Sequence, residues 1–408
     1  MERAHEGTTR AYWATWVATL TFFTGFYALL VPLPRYLAEA GLPDWQVGLI
    51  LGAFGVASLA GRPIAGGCVD RWGTRPVLLV GAGAFAVGAV ATPVTDAVLA
   101  LGGLRVLQAV GYVAFTTAGT ALVIQLTRPD ERGGRLALYG AAANVAISLA
   151  PVLASVLLAS HSLVAGFWLA GGLAVLAGAL ALLVSPPGES PPTATTPDAA
   201  ALVAAPPGRS AGLGRVALTG RVPRALWPPM ATAALFGAGF AAFFLFSPIL
   251  SERRGVPDGV LYTVYGIGII LTRVVGSRWL DRAGTGRALY LAAGLLVVGY
   301  GIMALPTATA PLAVATLLVA CGSGLFHPVL IAHHARLLPD APGQATAGFY
   351  LGFDLGIGLG SWLFGIVLES GGLGWLYGLA ALLVAATLPL IPSLARQDVQ
   401  ANVAARDA

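Results

Sequence analysis

The sequence has no lysine, only two cysteines, and few charged residues of any kind. Charged side chains make up 10% of the 408 residues, whereas 57% of the residues are hydrophobic. A soluble globular chain is about one-quarter charged, so this chain has too little polar surface to be a soluble protein of its size. The two cysteines, Cys68 and Cys321, form neither a disulfide framework nor a metal-binding spacing. These shortages indicate a protein whose solvent is the lipid bilayer.

The sequence lacks the motifs of nucleotide-driven pumps and of enzymes. The sequence contains no phosphate-binding loop of the type that ATP-driven pumps use, and no nucleophile-base pair or metal cluster stands out. The net charge of +5 comes from arginines scattered over short loops, which does not indicate a nucleic-acid surface. We therefore expect no cofactor, no metal and no nucleic-acid partner.

Long apolar runs follow one another along the chain. A run of about 20 residues crosses the roughly 30 Å of hydrocarbon in a bilayer, and a helix satisfies all its backbone polar groups within one run. The pattern predicts an all-α membrane protein with twelve transmembrane helices. The predicted spans are 11–36, 45–68, 75–95, 97–126, 134–159, 162–184, 225–251, 258–280, 286–306, 309–338, 342–370 and 372–392.

A change in composition divides these spans into two groups. Residues 185–222 are rich in Pro, Ala, Ser and Thr and are predicted to be a flexible linker. We therefore expect an N-terminal six-helix half (1–184), the linker, a C-terminal six-helix half (223–394) and a tail (395–408).

The distribution of arginine predicts the orientation. With the N-terminus inside, 17 of the 23 arginines fall in cytoplasmic segments, three fall outside and three lie within spans. Cytoplasmic loops carry an excess of basic residues, so both termini and the linker are predicted to be cytoplasmic.

The two halves repeat one another. Arg62 precedes Asp70 by eight residues, Arg273 precedes Asp281 by eight, and both aspartates continue as Asp-Arg-x-Gly. The offset of 211 persists through further pairs, such as Gly111 with Gly322, and is 214 earlier in each half. Parallel repeats of this kind are related by an axis along the membrane normal, with a binding site near the midplane between them.

The stretch "GGCVDRWGTR" resembles the loop signature between the second and third spans of the major facilitator superfamily. "LRVLQAVGYVA", with Arg105 and Gln108, is similar to the fourth-span signature of twelve-span drug:proton antiporters, and "ISLAPVLAS" keeps Pro151 of their fifth-span antiporter signature. The resemblance implies the fold of that family, a location in the cell membrane, a small-molecule substrate, and protons as the coupling ion.

The resemblance implies a cytoplasmic gate at the signature loop, where Asp70 meets the N-terminal end of the eleventh span near 342–345. A carboxylate is stabilised at that end of a helix by the helix dipole. Arg71 and Arg75 would hold neighbouring loops, with Asp130 or Glu131 as partners. The alternative is a loop that only helps each half to fold. The gate residues are Gly66, Asp70, Arg71, Gly73, Arg75, Asp281, Arg282 and Gly284.

Charges within the spans are predicted to pair between the halves. Arg62 lies about 12 Å deeper than Asp70, and an intramembrane charge is expected to have a partner. Asp354 in the eleventh span is the best candidate, and the repeat pairs Arg273 with Asn144. Such a pair either opens and closes during transport or locks the interface permanently.

Other polar groups within the spans are candidates for proton or substrate contact. Asp354 is the leading proton carrier, because it is the one acidic residue predicted well inside a span. Arg105, with Gln108 nearby, either binds an anion, helps proton transfer or is satisfied by helix carbonyls, and His327 is a second protonatable group or a structural one. His333 and His334 are expected to be solvated. Aromatic residues line an apolar pocket or only pack: Phe26, Tyr27, Phe115, Phe243, Phe244 and Tyr350.

These features predict a monomeric secondary transporter that alternates access to a central site. Proton-coupled efflux of a small amphipathic drug or metabolite is favoured. The alternatives are a proton-coupled importer of sugar or organic acid and, further away, a non-transporting receptor or scaffold. The spans contain three arginines and only one acidic residue well inside them, which favours a neutral or anionic substrate over a cation.

Overall fold

The computed structural model describes residues 2–127, 132–184, 226–256, 259–337 and 342–407. Within these ranges, it leaves out the side chains of 2–8, 273–283, 342–347 and 401–407, and those of several residues between 132 and 159. The predicted linker 185–222, Asp130 and Glu131 lie outside the described residues, as do the side chains of Asn144, Pro151, Arg273, Asp281 and Arg282.

The described residues form a bundle of α-helices. The helices are α1 (Glu2–Ala28), α2 (Pro32–Glu39), α3 (Asp44–Trp72), α4 (Thr74–Ala91), α5 (Val98–Gln125), α6 (Arg132–Ser160), α7 (Leu163–Leu182), α8 (Trp227–Arg253), α9 (Val260–Ala304), α10 (Thr309–Leu337), α11 (Pro342–Ala385) and α12 (Ile391–Asp407). Ten segments of the described chain are helical, long and apolar enough to cross a membrane. The all-helical membrane architecture is therefore confirmed, whereas the number twelve and the side of the termini stay predictions.

Glycine turns explain why some predicted spans run together. The predicted spans 258–280 and 286–306 fall largely within α9, in which two helical segments meet at a break where Gly284 leaves helical geometry (φ 73°). In α11 the same break falls at Gly372 (φ 73°), between the predicted spans 342–370 and 372–392. A side chain disfavours positive φ, so glycine is the residue that permits such a break.

The first predicted span is divided, which the sequence reading missed. Its helix ends at Ala28, and a second helix starts at Pro32. Proline has no amide hydrogen to continue a helix but fits its first turn. In the second half, α8 runs on to Arg253 through Pro248, which the repeat pairs with Pro34.

The repeat is also present in the backbone. Gly73 and Gly284, which the offset of 211 pairs, have φ of 84° and 73°. Gly41 and Gly255, paired by the offset of 214, have φ of 73° and 63°. Corresponding turns in the two halves therefore share the same uncommon conformation.

Helices α3 and α11 pack closely along a row of glycines. A β-carbon built on Gly52 would lie 2.5 Å from the carbonyl oxygen of Gly358, and one built on Gly55 would lie 2.5 Å from that of Asp354. Nearer the start of α3, Gly48 faces Gly365 at a similar separation. Small residues permit such close approach of membrane helices. The contact joins the first six predicted spans to the last six.

Candidate transport site

An ion pair lies where α3 and α11 meet. Arg62 donates from Nε and Nη2 to Oδ2 of Asp354, at 2.9 and 2.7 Å. The Asp354 side chain is 7% exposed and that of Arg62 is 19% exposed. The structure thus brings together two residues that are 292 positions apart in sequence. Because each is the counterion of the other, neither charge is left alone in the interior.

Aromatic rings surround this pair. The Arg62 guanidinium lies 4.8 Å from the centre of the Tyr350 ring, one helical turn before Asp354. Adjacent Phe353 packs 5.8 Å from the ring of His327, which Phe349 also contacts at 5.0 Å. His327 is half-buried, so this candidate proton acceptor lies among rings close to the ion pair.

A second polar group occupies the fourth predicted span. Arg105 donates from Nη1 to the amide oxygen of Gln108 at 2.8 Å. Gln108 donates in turn to the Gly88 carbonyl at 2.9 Å and to the Thr92 hydroxyl at 3.1 Å. The Arg105 guanidinium also stacks 4.5 Å above the Phe54 ring. Arg105 and Gln108 therefore act as one fixed unit that ties α5 to α4 and faces α3.

The other aromatic candidates divide into two groups. Phe26 and Tyr27 belong to the cluster of rings near Phe54 and Tyr112. Phe115, Phe243 and Phe244 are fully buried, and Phe115 stacks on Phe22 at 4.0 Å. This second group fills the interiors of the two halves.

The signature loop lies at the end of α3. Asp70 and Arg71 occupy its last turn with exposed side chains, and neither has a hydrogen bond or ion pair among the described residues. Arg75 donates to the carbonyl of Leu182 at 2.8 Å, which ties α4 to α7. The helix α11 begins at Pro342, where the N-terminal end of the eleventh span was predicted. The side chains of 342–347 are not among those that the structure describes.

His333 and His334 are not solvated, contrary to the sequence prediction. Both are fully buried at the end of α10. His333 Nδ1 lies 2.7 Å from Oδ1 of Asp398, and Arg336 pairs with the same carboxylate at 3.0 and 2.9 Å. The prediction was wrong because the tail folds as α12 and covers this end of α10.

The sequence reading also missed a polar cluster at the opposite end of α3. Arg253 at the end of α8 donates to both carboxylate oxygens of Asp44 at 2.7 and 2.8 Å. The Asp44 amide donates to Glu369 of α11 at 2.6 Å. One aspartate thus joins helices from both predicted halves. The sequence did contain a signal for this cluster, because Arg253 is one of only three arginines predicted on the outer side.

Comparison with known proteins agrees with this architecture. The family model of the Major Facilitator Superfamily matches residues 15–341 and 259–406. A chloramphenicol resistance protein of Streptomyces lividans is 27% identical over 348 residues, which cover 84% of each chain. The inner membrane transport protein YajR of Escherichia coli is 28% identical over 181 residues, which are 44% of this chain and 39% of YajR.

A solved structure of similar fold also matches nearly the whole chain. A mutant of the nucleoside transporter NupG superposes with a TM-score of 0.75 at 14% identity, covering 94% of this chain and 99% of NupG. At that identity the likeness concerns the fold alone. Together with the family match, the repeat and the paired helices α3 and α11, it identifies this multi-pass membrane protein as a member of the Major Facilitator Superfamily of transporters, not an enzyme.

Proposed function

We propose that this chain exports a small amphipathic organic molecule in exchange for protons, by rocking two six-helix halves about a central site. In this proposal 1–184 and 223–394 are the halves, 185–222 and 395–408 are cytoplasmic linker and tail, and one monomer makes twelve crossings. The drug-resistance name of the Streptomyces relative supports export.

The Arg62–Asp354 ion pair carries the proposal. It joins α3 to α11, so relative movement of the halves must stretch or break it. When the pair is closed, the arginine favours the ionised carboxylate; when it opens, a carboxyl in apolar surroundings binds a proton more readily. Opening of the pair therefore couples protonation of Asp354 to the position of the halves.

The proposal includes a gate at each end of the bundle. At the predicted outer end, Asp44, Arg253 and Glu369 tie the halves together. At the predicted cytoplasmic end, Gly66, Asp70, Arg71, Gly73 and Arg75 form one gate element, and Asp281, Arg282 and Gly284 form its repeat. Arg273 and Asn144 are proposed as the second contact between halves, and Pro151 as a packing position on the antiporter-type span.

The test uses everted membrane vesicles with an imposed pH gradient. Wild-type protein should accumulate an exported drug when the interior is acid, whereas Asp354→Asn should bind the drug but lose the dependence on the gradient. Full coupling in Asp354→Asn would exclude this residue as the carrier. Accumulation only in right-side-out vesicles would favour the importer, and silence with every substrate would favour a scaffold.

A further inference from the structure

A buried guanidinium without a carboxylate partner lies within the N-terminal half. Arg105 is 3% exposed, and its one hydrogen bond to a described residue is that from Nη1 to Gln108. Its Nε is buried and has no hydrogen-bond partner in the described structure. A buried cation is costly unless an anion or several acceptors face it. Arg105 therefore has unused capacity to bind an anion.

The neighbours of Arg105 fix its position but do not neutralise its charge. The Gln108 amide group is held by Gly88 and Thr92, so that its oxygen points to the guanidinium. The guanidinium carbon lies over the Phe54 ring, 4.5 Å from its centre. A carboxamide and an aromatic ring are both neutral, so the positive charge remains.

An aromatic cluster lies directly beside this cation. Phe54 is 5.3 Å from both Phe26 and Tyr112, and these two rings are 4.7 Å apart. The rings come from α1, α3 and α5, and Phe54 connects them to Arg105. Arg62, a second arginine within the spans, is already paired with Asp354 at 2.7 Å.

We propose that Arg105 anchors the anionic head of the transported molecule, and that the cargo is an amphipathic organic anion such as an aromatic carboxylate. This inference rests on the proposed export function and names its substrate class. A guanidinium presents a planar fork that can bind a carboxylate through two parallel hydrogen bonds. The body of the cargo lies against Phe26, Phe54 and Tyr112, and a cationic head is repelled.

Binding of three matched ligands to the purified full-length protein tests the inference. The ligands are 2-naphthoate, 2-naphthamide and 2-naphthylmethylammonium, which share a ring system and differ in charge. We expect 2-naphthoate to bind about tenfold or more tighter than the amide, the gain that charge-assisted hydrogen bonds commonly give. No binding of 2-naphthoate, or tightest binding of the cation, would overturn the inference.

Two variants and a control locate the anchor. Arg105→Gln should lose the preference for 2-naphthoate and keep the affinity for the amide, whereas Arg105→Lys should keep part of the preference because it keeps the charge. Arg287→Gln, at an exposed position, should change nothing. Size-exclusion chromatography checks folding, and if Arg105→Gln does not fold, the wild-type ranking of the three ligands decides.

Transport of the same ligands separates this inference from the proposed function. Export of the amide under a pH gradient, without preference for 2-naphthoate, overturns the anion site and leaves export in place. Arg105-dependent binding of 2-naphthoate with no gradient-driven movement overturns the export function and leaves the anion site in place.

Discussion

Two arginines within the spans, half-buried Arg62 and buried Arg105, differ in whether a carboxylate faces them. Arg62 is paired with Asp354 at 2.7 Å, and Arg105 contacts only the neutral groups of Gln108 and Phe54 among the described residues. The first charge is part of the protein's internal balance, and the second is available to a ligand. Residues of one type within the same bundle can thus serve different roles, because the role depends on the counterion.

Breaking the ion pair on one side should destabilise the protein more than removing both charges. Arg62→Gln leaves Asp354 buried without a counterion, and removing one partner of a buried pair commonly costs about 3–5 kcal/mol of the free energy of unfolding. The double variant Arg62→Gln/Asp354→Asn should recover much of this loss. Denaturant unfolding in detergent measures the difference, with Arg287→Gln as the exposed control. A loss in the double variant as large as the summed losses of Arg62→Gln and Asp354→Asn would show that the pair contributes no electrostatic coupling.

At the scale of elements, the contact of α3 with α11 depends on the absence of side chains. Gly48, Gly52 and Gly55 all face the backbone of α11, whereas Gly66 and Gly67, further along the same helix, have no atom within 4 Å of a built β-carbon. The helix therefore changes from a tightly packed segment to an open one along its length. The ion pair lies between the two segments.

Alanine substitutions at Gly55 and Gly67 should have opposite effects. A β-carbon at Gly55 would collide with the Asp354 carbonyl at 2.5 Å, and such overpacking typically costs about 1–3 kcal/mol of stability. At Gly67 the same change meets open space and should stabilise the helix by up to about 1 kcal/mol. Thermal unfolding of both variants in detergent checks this, and equal effects would mean that the close approach is not maintained in solution.

The C-terminal helix is a second element whose place the structure decides. Asp398 of α12 binds both His333 and Arg336 of α10, and Arg336 also donates to Thr285 at 2.7 Å. This network joins α12, α10 and the turn after Gly284. It anchors the tail to the C-terminal half at the predicted cytoplasmic end.

At the scale of the whole molecule, the described contacts close the predicted outer end. The Asp44–Arg253 pair, the Glu369 contact and the glycine row all lie on that side of the ion pair. Alternating access requires the ties at this end to open before cargo leaves on that side.

Weakening the outer ties should change the exposure of Cys68, which lies two residues before Asp70. In a Cys321→Ser background, Asp44→Asn should favour opening of the outer end and closing of the inner end. The maleimide labelling rate of Cys68 should then fall by about two- to fivefold, because a partly exposed ion pair contributes no more than about 1 kcal/mol. Arg253 is 42% exposed, which keeps the expected effect small.

The matched control for this experiment is Asp96→Asn. Asp96 accepts a hydrogen bond from Tyr36 at 2.9 Å, and both residues belong to the same predicted half, so its loss should leave the Cys68 labelling rate unchanged. An unchanged rate in Asp44→Asn as well would argue against a gate at the outer end.

Composition and periodicity alone determined the membrane class, the helical architecture and the repeat. The first two properties are local, because each apolar run must satisfy its own backbone hydrogen bonds in lipid. The repeat follows from the spacing of Arg62 and Asp70, which recurs at Arg273 and Asp281. The family resemblance followed from the same loop. The Arg62–Asp354 contact was also predicted before the structure, since each buried charge requires a partner and the family resemblance implies that the second and eleventh spans pack together.

Only the tertiary structure decided which groups share an environment. The sequence does not reveal that α12 covers His333, that Asp44 meets Arg253 209 residues away, or that Arg105 faces a ring and an amide instead of an acid. These facts depend on the distance between side chains from different helices, and packing sets that distance. The role of a buried charge depends on the groups within a few ångströms of it, because the surrounding lipid and protein offer little screening.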